Sequence, residues 1–349
     1  MKKGLVMAAA GLALSASTLL AQANSCPAGG NAATTSGAQA NIVRDACLQA
    51  VDVFNFMAPQ LGLALAGGNA TLGQGGTLGG PGHFTIGVRG NVFNGDLPQV
   101  NNFPAPRSTQ NPGPQVLPSK KQVLGLPTAD AAIGIFKGIP LGLTNVGGID
   151  LLLSAAYIPK IGDSTSDVRI NPSSSTKFGF GARLGLLQES ILVPGVSVTY
   201  FRRDLPTTDI IGTSGGASLQ VLNTDIKTTA WRVVANKSFI VFGLAAGVGQ
   251  DKYDESTSVS GSVKDQVVVV NGASVHTGPA SFGPIPLSQN MTRTNAFVDL
   301  SLNLPLFKVV VEGGSVSGGT LTTPNTNTFT SGAATDSRVY GSLGLRFAW

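Results

Sequence analysis

The chain has 349 residues, of which 12% are charged and 46 are glycine, and its mean hydropathy is positive at +0.21. So little charge with so much glycine is unusual for a soluble enzyme and suits a sheet protein whose outer face meets an apolar phase. Lysine and arginine number 23 against 18 acidic residues. No basic stripe is present, which argues against a nucleic-acid partner.

Residues 1–23 have the pattern of a secretory signal peptide. Lys2 and Lys3 give a positive start, an apolar stretch follows from Leu5 to Leu20, and Ala21-Gln22-Ala23 is a cleavage site. The alternative is a lipoprotein signal ending at Cys26, but the leucine normally found three residues before such a cysteine is missing. No later apolar stretch is long enough for a transmembrane helix, so any membrane span must consist of strands.

Residues 24–82 are predicted to form an N-terminal arm ahead of the sheet. Helical spacing links the apolar residues Val43, Cys47, Val51, Phe54 and Met57. We expect Pro59 to end this helix and the glycine-rich residues 62–82 to form a connector. The helix either caps one end of the sheet structure or plugs its interior.

From residue 83 onwards the apolar pattern has a period of two, which is typical of strands with one apolar face. Ten segments are predicted, most of them about 10 to 13 residues long, which is close to what a tilted strand needs to cross a bilayer. They are 83–93, 127–137, 147–158, 176–187, 194–203, 225–235, 239–253, 292–303, 307–318 and 337–349. Residues 83–349 are therefore predicted to be an all-β, antiparallel, up-and-down transmembrane β-barrel.

The connections between these segments alternate strictly between long and short, which favours a membrane barrel over a soluble sandwich. Closing the sheet also leaves no unpaired edge in lipid. An even strand count places both termini on the side of the short turns. The long connection 254–291 contains DQVVVVNG (265–272). That run either extends the wall or, with residues 255–262, raises the count from ten strands to twelve.

Eleven charged residues fall on the strand face that is predicted to line the lumen. They are Arg89, Asp130, Asp150, Arg183, Arg203, Arg232, Asp251, Asp299, Glu312, Arg338 and Arg346. Because basic and acidic residues nearly balance, the simplest interpretation is a set of salt bridges bracing the lumen. The alternatives are a charged constriction that selects solutes and a catalytic set.

Neither a metal site, a cofactor site nor a catalytic site is predicted. The two cysteines, Cys26 and Cys47, are expected to form one disulfide, as a close pair does in an exported protein. His83 begins the first strand. His276, in the longest loop, is the sole candidate for a barrel hydrolase, and no partner is evident for it. The sequence therefore predicts a protein that is not an enzyme.

The last residues, SLGLRFAW, alternate so that Leu343, Leu345 and Phe347 face outwards and Arg346 faces inwards. Ser342, Gly344, Phe347 and Trp349 match the C-terminal assembly signal of Gram-negative outer-membrane β-barrel proteins, which the chain resembles. The resemblance implies residence in the cell outer membrane, contact with its lipid and lipopolysaccharide, and recognition by the barrel-assembly machinery during biogenesis.

The subfamily is not identified by these residues. The leading helix and glycine-rich stretch are similar to those of hydrophobic-compound transporters, whose Asn-Pro-Ala element is missing here; a porin-like barrel is the other assignment. We expect a passive channel or transporter for small solutes. The alternative is a non-transporting surface structure such as an adhesin or an envelope scaffold. No oligomeric state is indicated.

Overall fold

The computed structural model describes residues 26–160, 168–214 and 217–348. The predicted signal peptide and Trp349 lie outside these residues. One helix, α1 (Thr35–Ala66), precedes the sheet. The ten long strands are β1 (Phe84–Pro98), β2 (Ser119–Phe136), β3 (Gly148–Tyr157), β4 (Thr176–Leu187), β5 (Gly195–Asp204), β6 (Ala217–Ser238), β7 (Phe242–Val263), β8 (Ala280–Asn303), β9 (Lys308–Val316) and β10 (Arg338–Ala348).

These strands form a closed ring. Each pairs antiparallel with the next, and β10 pairs with β1 over a register that runs from Thr85 opposite Ala348 to Phe93 opposite Tyr340. The prediction of an up-and-down β-barrel is therefore confirmed, and each of the ten predicted segments corresponds to one strand. Among the described residues, Val267–Val270 and Ala273–His276 pair only with each other, as a separate hairpin. The twelve-stranded alternative is wrong.

The wall has an apolar outer face because side chains alternate across each strand. On β7, Leu244 and Val248 are exposed while Ala245, between them, is buried. The same pattern exposes Ile86 on β1 and Leu300 on β8. The exposed apolar positions form a band around the ring, which is the surface that lipid would contact.

The two ends of the barrel differ. The connections at one end, called the turn end here, are residues 137–147, 188–194, 239–241 and 304–307. Those at the other end, the loop end, are 99–118, 158–175, 205–216, 264–279 and 317–337. The alternation expected from the sequence is present, and β1 begins and β10 finishes at the turn end.

Strands β6, β7 and β8 are longer than predicted and continue past the apolar band at the loop end. Their outer faces there carry polar side chains such as Lys252 and Asp254, so the apolar signal weakens. Their inner faces carry Val221, Val259 and Ile285, which pack in one buried cluster with α1. The strands continue because the helix provides them with a core that the local sequence does not show.

Short strands complete the loop end. Thr208–Ser214 pairs with β6, and Val168–Pro172 pairs with Thr208–Ser214. Val116–Leu117 lies parallel to Thr328–Phe329. Ile139–Leu141 and Thr144–Val146 form a hairpin at the turn end.

Helix α1 starts at the N-cap residue Thr34, whose hydroxyl accepts a hydrogen bond from Gly37 N. It does not stop before Pro59, as predicted, but continues to Ala66. Proline removes one backbone donor from a helix, but Leu63 and Leu65 beyond it are almost fully buried. Their burial holds the last turns in place. The prediction that the helix ends at Pro59 is wrong for this reason.

No helix in the described residues has an apolar stretch long enough to cross a membrane.

The predicted disulfide is formed. Cys26 and Cys47 are bonded, with their Cα atoms 5.7 Å apart. The bond ties the first described residues to the helix, and Cys47 is fully buried in the cluster that α1 makes with the wall.

Candidate functional site: the occupied lumen

The N-terminal arm runs through the barrel from the loop end to the turn end. Near its start, Gln39 Nε2 donates to the backbone oxygen of Thr277 at 2.7 Å, in the loop between β7 and β8. Its last helical turn lies inside the ring, where Leu63 and Leu65 cluster with Phe297 of β8. Helix and connector therefore lie within the barrel, and the helix does not cap its end.

The connector, residues 67–83, then crosses the lumen and reaches the turn end, where Gly134 N donates to the backbone oxygen of His83 at 2.9 Å. The first described residue, Cys26, packs against the loop-end cluster. The expectation that both termini lie on the turn side thus holds for the ring of strands but is wrong for the arm, because the arm adds one passage through the lumen.

Arginines of the wall donate to backbone oxygens along the arm. The bonds run from Arg203 to Ala66 (2.6 Å), from Arg232 to Gly67 and Gly68 (both 3.2 Å), from Arg89 to Asn69, from Arg346 to Leu72 (2.6 Å) and from Arg183 to Gly76 (3.1 Å). A glycine-rich segment without regular structure satisfies only some of its own carbonyls, such as those of Thr71 and Gly80. The arginines of the wall bind others.

Carboxylates of the wall accept from the backbone N–H groups of the same segment. Asp299 accepts from Gly73 N at 2.8 Å, Glu312 from Asn69 N at 2.6 Å, and Asp150 from Leu78 N at 3.1 Å. Hydrogen bonds with one charged partner are roughly twice as strong as neutral ones. Both signs of lumen charge therefore hold the connector.

All eleven charged residues predicted to line the lumen lie on the inner face, and most of them also form ion pairs. The pairs are Arg89–Asp130 (2.9 Å), Arg203–Asp130 (3.2 Å), Arg183–Asp150 (3.4 Å), Arg232–Asp251 and Arg338–Asp96 (2.6 Å). Asp299 and Glu312 are paired in register on β8 and β9 and bind the connector. The salt bridges expected between strands are thus present, and their free donors and acceptors hold the arm.

Three inward charged residues were missed by the sequence reasoning. Asp96 and Glu255 lie where β1 and β7 continue beyond their predicted ends. Arg293 lies inside the predicted segment 292–303, on the same face as Asp299, and was overlooked there. Arg293 donates to the backbone oxygen of Asp336 at 3.0 Å, at the loop end. The alternation of Tyr253, Glu255 and Thr257 with more exposed residues is the signal that could have revealed the extension.

The connector is rich in glycine because it fits closely against the wall. A Cβ atom on Gly68 would lie 2.4 Å from the Glu312 carboxylate, and one on Gly75 would lie 2.8 Å from the backbone of Ala235. Gly67, which ends α1, has a φ of +58° that other residues rarely adopt. The glycines therefore let an extended backbone approach the lumen side chains directly.

At the loop end, two loops bind the polar side of α1. Asp52 accepts from the backbone N–H groups of Thr326 and Asn327, each at 2.8 Å, and Asp45 pairs with Arg107 at 3.0 Å. Burial raises the pKa of Asp52 to about 7.

Between α1 and the loop 99–118 lies a cavity of about 300 Å³.

The histidines lie apart from the lumen charges. His83 Nδ1 is 3.3 Å from the backbone oxygen of Gly80 at the turn end. His276 pairs with Asp265 on the exposed hairpin of the loop end, and this hydrogen bond lowers the pKa of Asp265. Asp265 is a carboxylate partner that the sequence did not reveal. In the described parts of the chain, no three histidine, cysteine or acidic side chains gather as a metal site would require.

The three described residues of the predicted assembly signal are divided between the two faces of β10. Ser342 points inwards and its hydroxyl donates to Glu312 at 2.8 Å. Gly344 also faces inwards, where a Cβ would lie 2.6 Å from Leu72 of the connector. Phe347 faces outwards and is partly exposed. The strand that carries the signal thus also contacts the connector.

No protein-family model matches the chain, and no curated protein matches it. The similar solved structures are mostly outer-membrane β-barrels. The transport unit of the autotransporter AIDA-I from Escherichia coli is 11% identical, with a TM-score of 0.36 over 85% of this chain and 98% of that one. The Ralstonia pickettii toluene transporter TbuX is 10% identical, with a TM-score of 0.24 over 80% and 91%. An anion-selective porin from Comamonas acidovorans is 10% identical, with a TM-score of 0.18 over 76% and 98%.

Proposed function

We propose that this chain is an outer-membrane β-barrel whose own N-terminal arm closes the lumen, and that it conducts small solutes only when the connector moves aside. The observation that carries the proposal is the mismatch in charge between wall and connector. The wall is lined with paired arginines and carboxylates, whereas residues 67–83 contain no Asp, Glu, Lys or Arg.

Buried ionic groups are costly to desolvate, and replacing them by well-packed apolar side chains is often neutral or stabilising. A lumen that was filled permanently could be lined with apolar residues. The loop end of this barrel does that where Val259 and Ile285 meet α1. An ionic lining is expected instead if the lumen also exists filled with water, because its charges are then solvated.

The contacts that hold the connector are of a kind that water can replace. They are hydrogen bonds between wall side chains and the peptide groups of the connector. The connector itself has few large apolar side chains, chiefly Leu72 and Leu78. Releasing the connector therefore exposes little apolar surface. The proposal refines the expected passive channel into one that is closed at rest.

A reversible disulfide between connector and wall tests this proposal. A Cβ placed on Gly75 lies 3.0 Å from the Cβ of Asn236 on β6, near the 3.5–4.5 Å that a disulfide needs. We expect oxidised Gly75→Cys/Asn236→Cys protein to give no openings in planar bilayers and to regain them on reduction. The wild-type protein, treated with the same reductant, controls for loss of the Cys26–Cys47 bond. Equal conductance in the locked and reduced forms would overturn the proposal.

The proposed orientation puts the loop end at the cell surface and the turn end in the periplasm, as in barrels of this type. A matched pair of cysteine variants tests it. Ala33→Cys lies at the loop end and Ile240→Cys at the turn end, and both side chains are exposed. A membrane-impermeant maleimide should label the first on intact cells and the second only after permeabilisation. Labelling in the opposite order would reverse the orientation.

A second candidate function is a non-transporting surface structure, which is supported by the way the loops are tied to α1. The contacts of Asp52 and Asp45 join the helix to two loops, so that the loop end forms one connected unit. This candidate predicts no conductance from the unlocked double-cysteine protein under any voltage. Openings from that protein would exclude it.

A further inference from the structure

The cavity at the loop end is enclosed on three sides. Its floor is the face of α1 that carries Gln49 and Ala50, one wall is formed by Leu219 and Phe282 of the strands, and the other by Phe103 and Pro104 of the loop 99–118. Its volume of about 300 Å³ falls at the lower end of the range for small-molecule sites.

The lining is uncharged, although charged groups are close by. Asp45 on the neighbouring turn of α1 is already bound by Arg107 and by Gln115 Nε2. The side chains that border the cavity are aliphatic, aromatic, proline or neutral polar ones. A charged ligand would lose its hydration there without gaining a partner of opposite charge. The occupant favoured by this lining is therefore uncharged and largely apolar.

Gln49 supplies the polar group that would orient such an occupant. The residue is only 7% exposed, and its Nε2 donates to the backbone oxygen of Pro104 at 3.2 Å. That bond fixes the orientation of the Gln49 amide, because its Nε2 group is bound to the loop 99–118. Within the described parts of the chain, Oε1 of Gln49 accepts no hydrogen bond, and the residue borders the cavity. An acceptor at the edge of the cavity that no protein group uses is available to a ligand that supplies a donor.

We infer that this cavity binds a small uncharged molecule with an apolar or aromatic body and one hydroxyl or N–H group, which donates to Oε1 of Gln49. Ala46 and Ala50 leave room for the body of the molecule, and Phe282 and Leu219 pack against it. The cavity lies beyond the apolar band of the wall, so the site exists whether or not the lumen conducts.

Two probes of similar shape distinguish the contribution of the Gln49 acceptor from that of the apolar lining. 1-Naphthol carries a hydroxyl and naphthalene does not. Equilibrium dialysis against the wild-type protein in lipid nanodiscs, with empty nanodiscs as the blank, should show saturable binding of both. Gln49→Leu should weaken 1-naphthol about tenfold and leave naphthalene unchanged. Equal weakening of both probes would overturn the role of Gln49.

Filling the cavity tests the site itself. Ala50→Phe should reduce the binding of both probes at least tenfold, and Ala46→Phe, one turn away on the same floor, repeats the test. Ala129→Phe on the outer face of β2 is the matched control and should bind as the wild type does. Heat-modifiable migration confirms that each variant is folded. Unchanged binding in folded Ala50→Phe and Ala46→Phe, or binding no greater than in empty nanodiscs, would overturn the inference.

Discussion

Asp299 and Glu312 face each other in register on β8 and β9, and both accept hydrogen bonds from Asn69 of the connector. Two carboxylates so placed repel each other when both are ionised. The donors of Asn69 and Gly73 offset that repulsion, so this pair of carboxylates holds the connector in the lumen.

Asn69→Ala should therefore loosen the connector. The substitution removes the bond of Nδ2 to Asp299, which costs about 1.5–3 kcal/mol for a charged acceptor. We expect openings in planar bilayers to become at least tenfold more frequent. Ser315→Ala, on the outer face of β9, is the control and should behave as the wild type does. No change in Asn69→Ala would show that this contact does not hold the connector.

Gly68→Ala should displace the connector by crowding, since its new Cβ would lie 2.4 Å from the Glu312 carboxylate. Overpacking of this kind costs about 1–3 kcal/mol. We expect a lower temperature of heat-modified migration and an increased leak of small solutes into liposomes. Gly90→Ala is matched to it, because a Cβ there meets nothing within 4 Å. Equal behaviour of the two variants would contradict the close fit.

The attachment of the loop 317–337 to α1 should depend on pH through Asp52. Its pKa rises from 3.8 to about 7 on folding, mainly through burial. Between these values the folded protein holds a proton that the unfolded chain has released, so the stability from Asp52 falls as pH rises from about 4 to about 7 and is level above. Over this pH interval the free energy of unfolding is expected to fall by roughly 3–4 kcal/mol. Thermal unfolding at intervals across this range measures it, and Asp52→Asn should remove this component. A pH profile unchanged in Asp52→Asn would rule the residue out.

The disulfide should matter for the arm and not for the ring. Cys26 and Cys47 are separated by 21 residues, and closing a loop of that size contributes about 3 kcal/mol. In Cys26→Ser/Cys47→Ser protein we expect protease cleavage within residues 26–34, with the barrel still heat-modifiable. Reduced wild-type protein should give the same cleavage pattern. Loss of the barrel itself in the double variant would mean that the arm is needed for assembly.

Deleting residues 347–349 should prevent assembly, because Phe347 and Trp349 end the predicted assembly signal. The truncated chain is expected to accumulate in the periplasm as protease-sensitive protein. Phe347→Tyr, which keeps an aromatic ring, serves as the control and should assemble normally. Normal heat-modifiable barrel from the deleted chain would remove the basis for that signal.

The ring of strands could be predicted because its signal is local. Segments such as 176–187 alternate apolar and polar residues over the whole strand, since one face meets an apolar phase and the other the lumen. The extensions of β6, β7 and β8 were missed because their alternation lacks the apolar outer face that marks the other segments. Their outer faces are polar, and their inner faces are apolar only because α1, far away in sequence, packs there.

Most of the lumen residues could be predicted from the sequence, but their binding to the connector could not. The alternation identified most of the inward arginines and carboxylates. The roles that the sequence suggested for them were pairing between strands, a charged constriction or a catalytic set, and none of these includes contact with the arm. Their bonds to Asn69, Gly73 and Gly76 depend on the path of the connector, which follows no periodic pattern. Likewise Pro59 is a helix terminator by local rules, and its place inside α1 reflects burial beyond it.

From the path of the arm we expect a fixed order of events in biogenesis. Cys26 lies at the loop end and Ala348 at the turn end, so the described chain passes from one side to the other an odd number of times. A ring that had already closed around its ion pairs would have to let a disulfide-bonded helix through a narrow opening. We therefore expect the arm to be in place before β1 and β10 join, so that closure of the ring seals it inside.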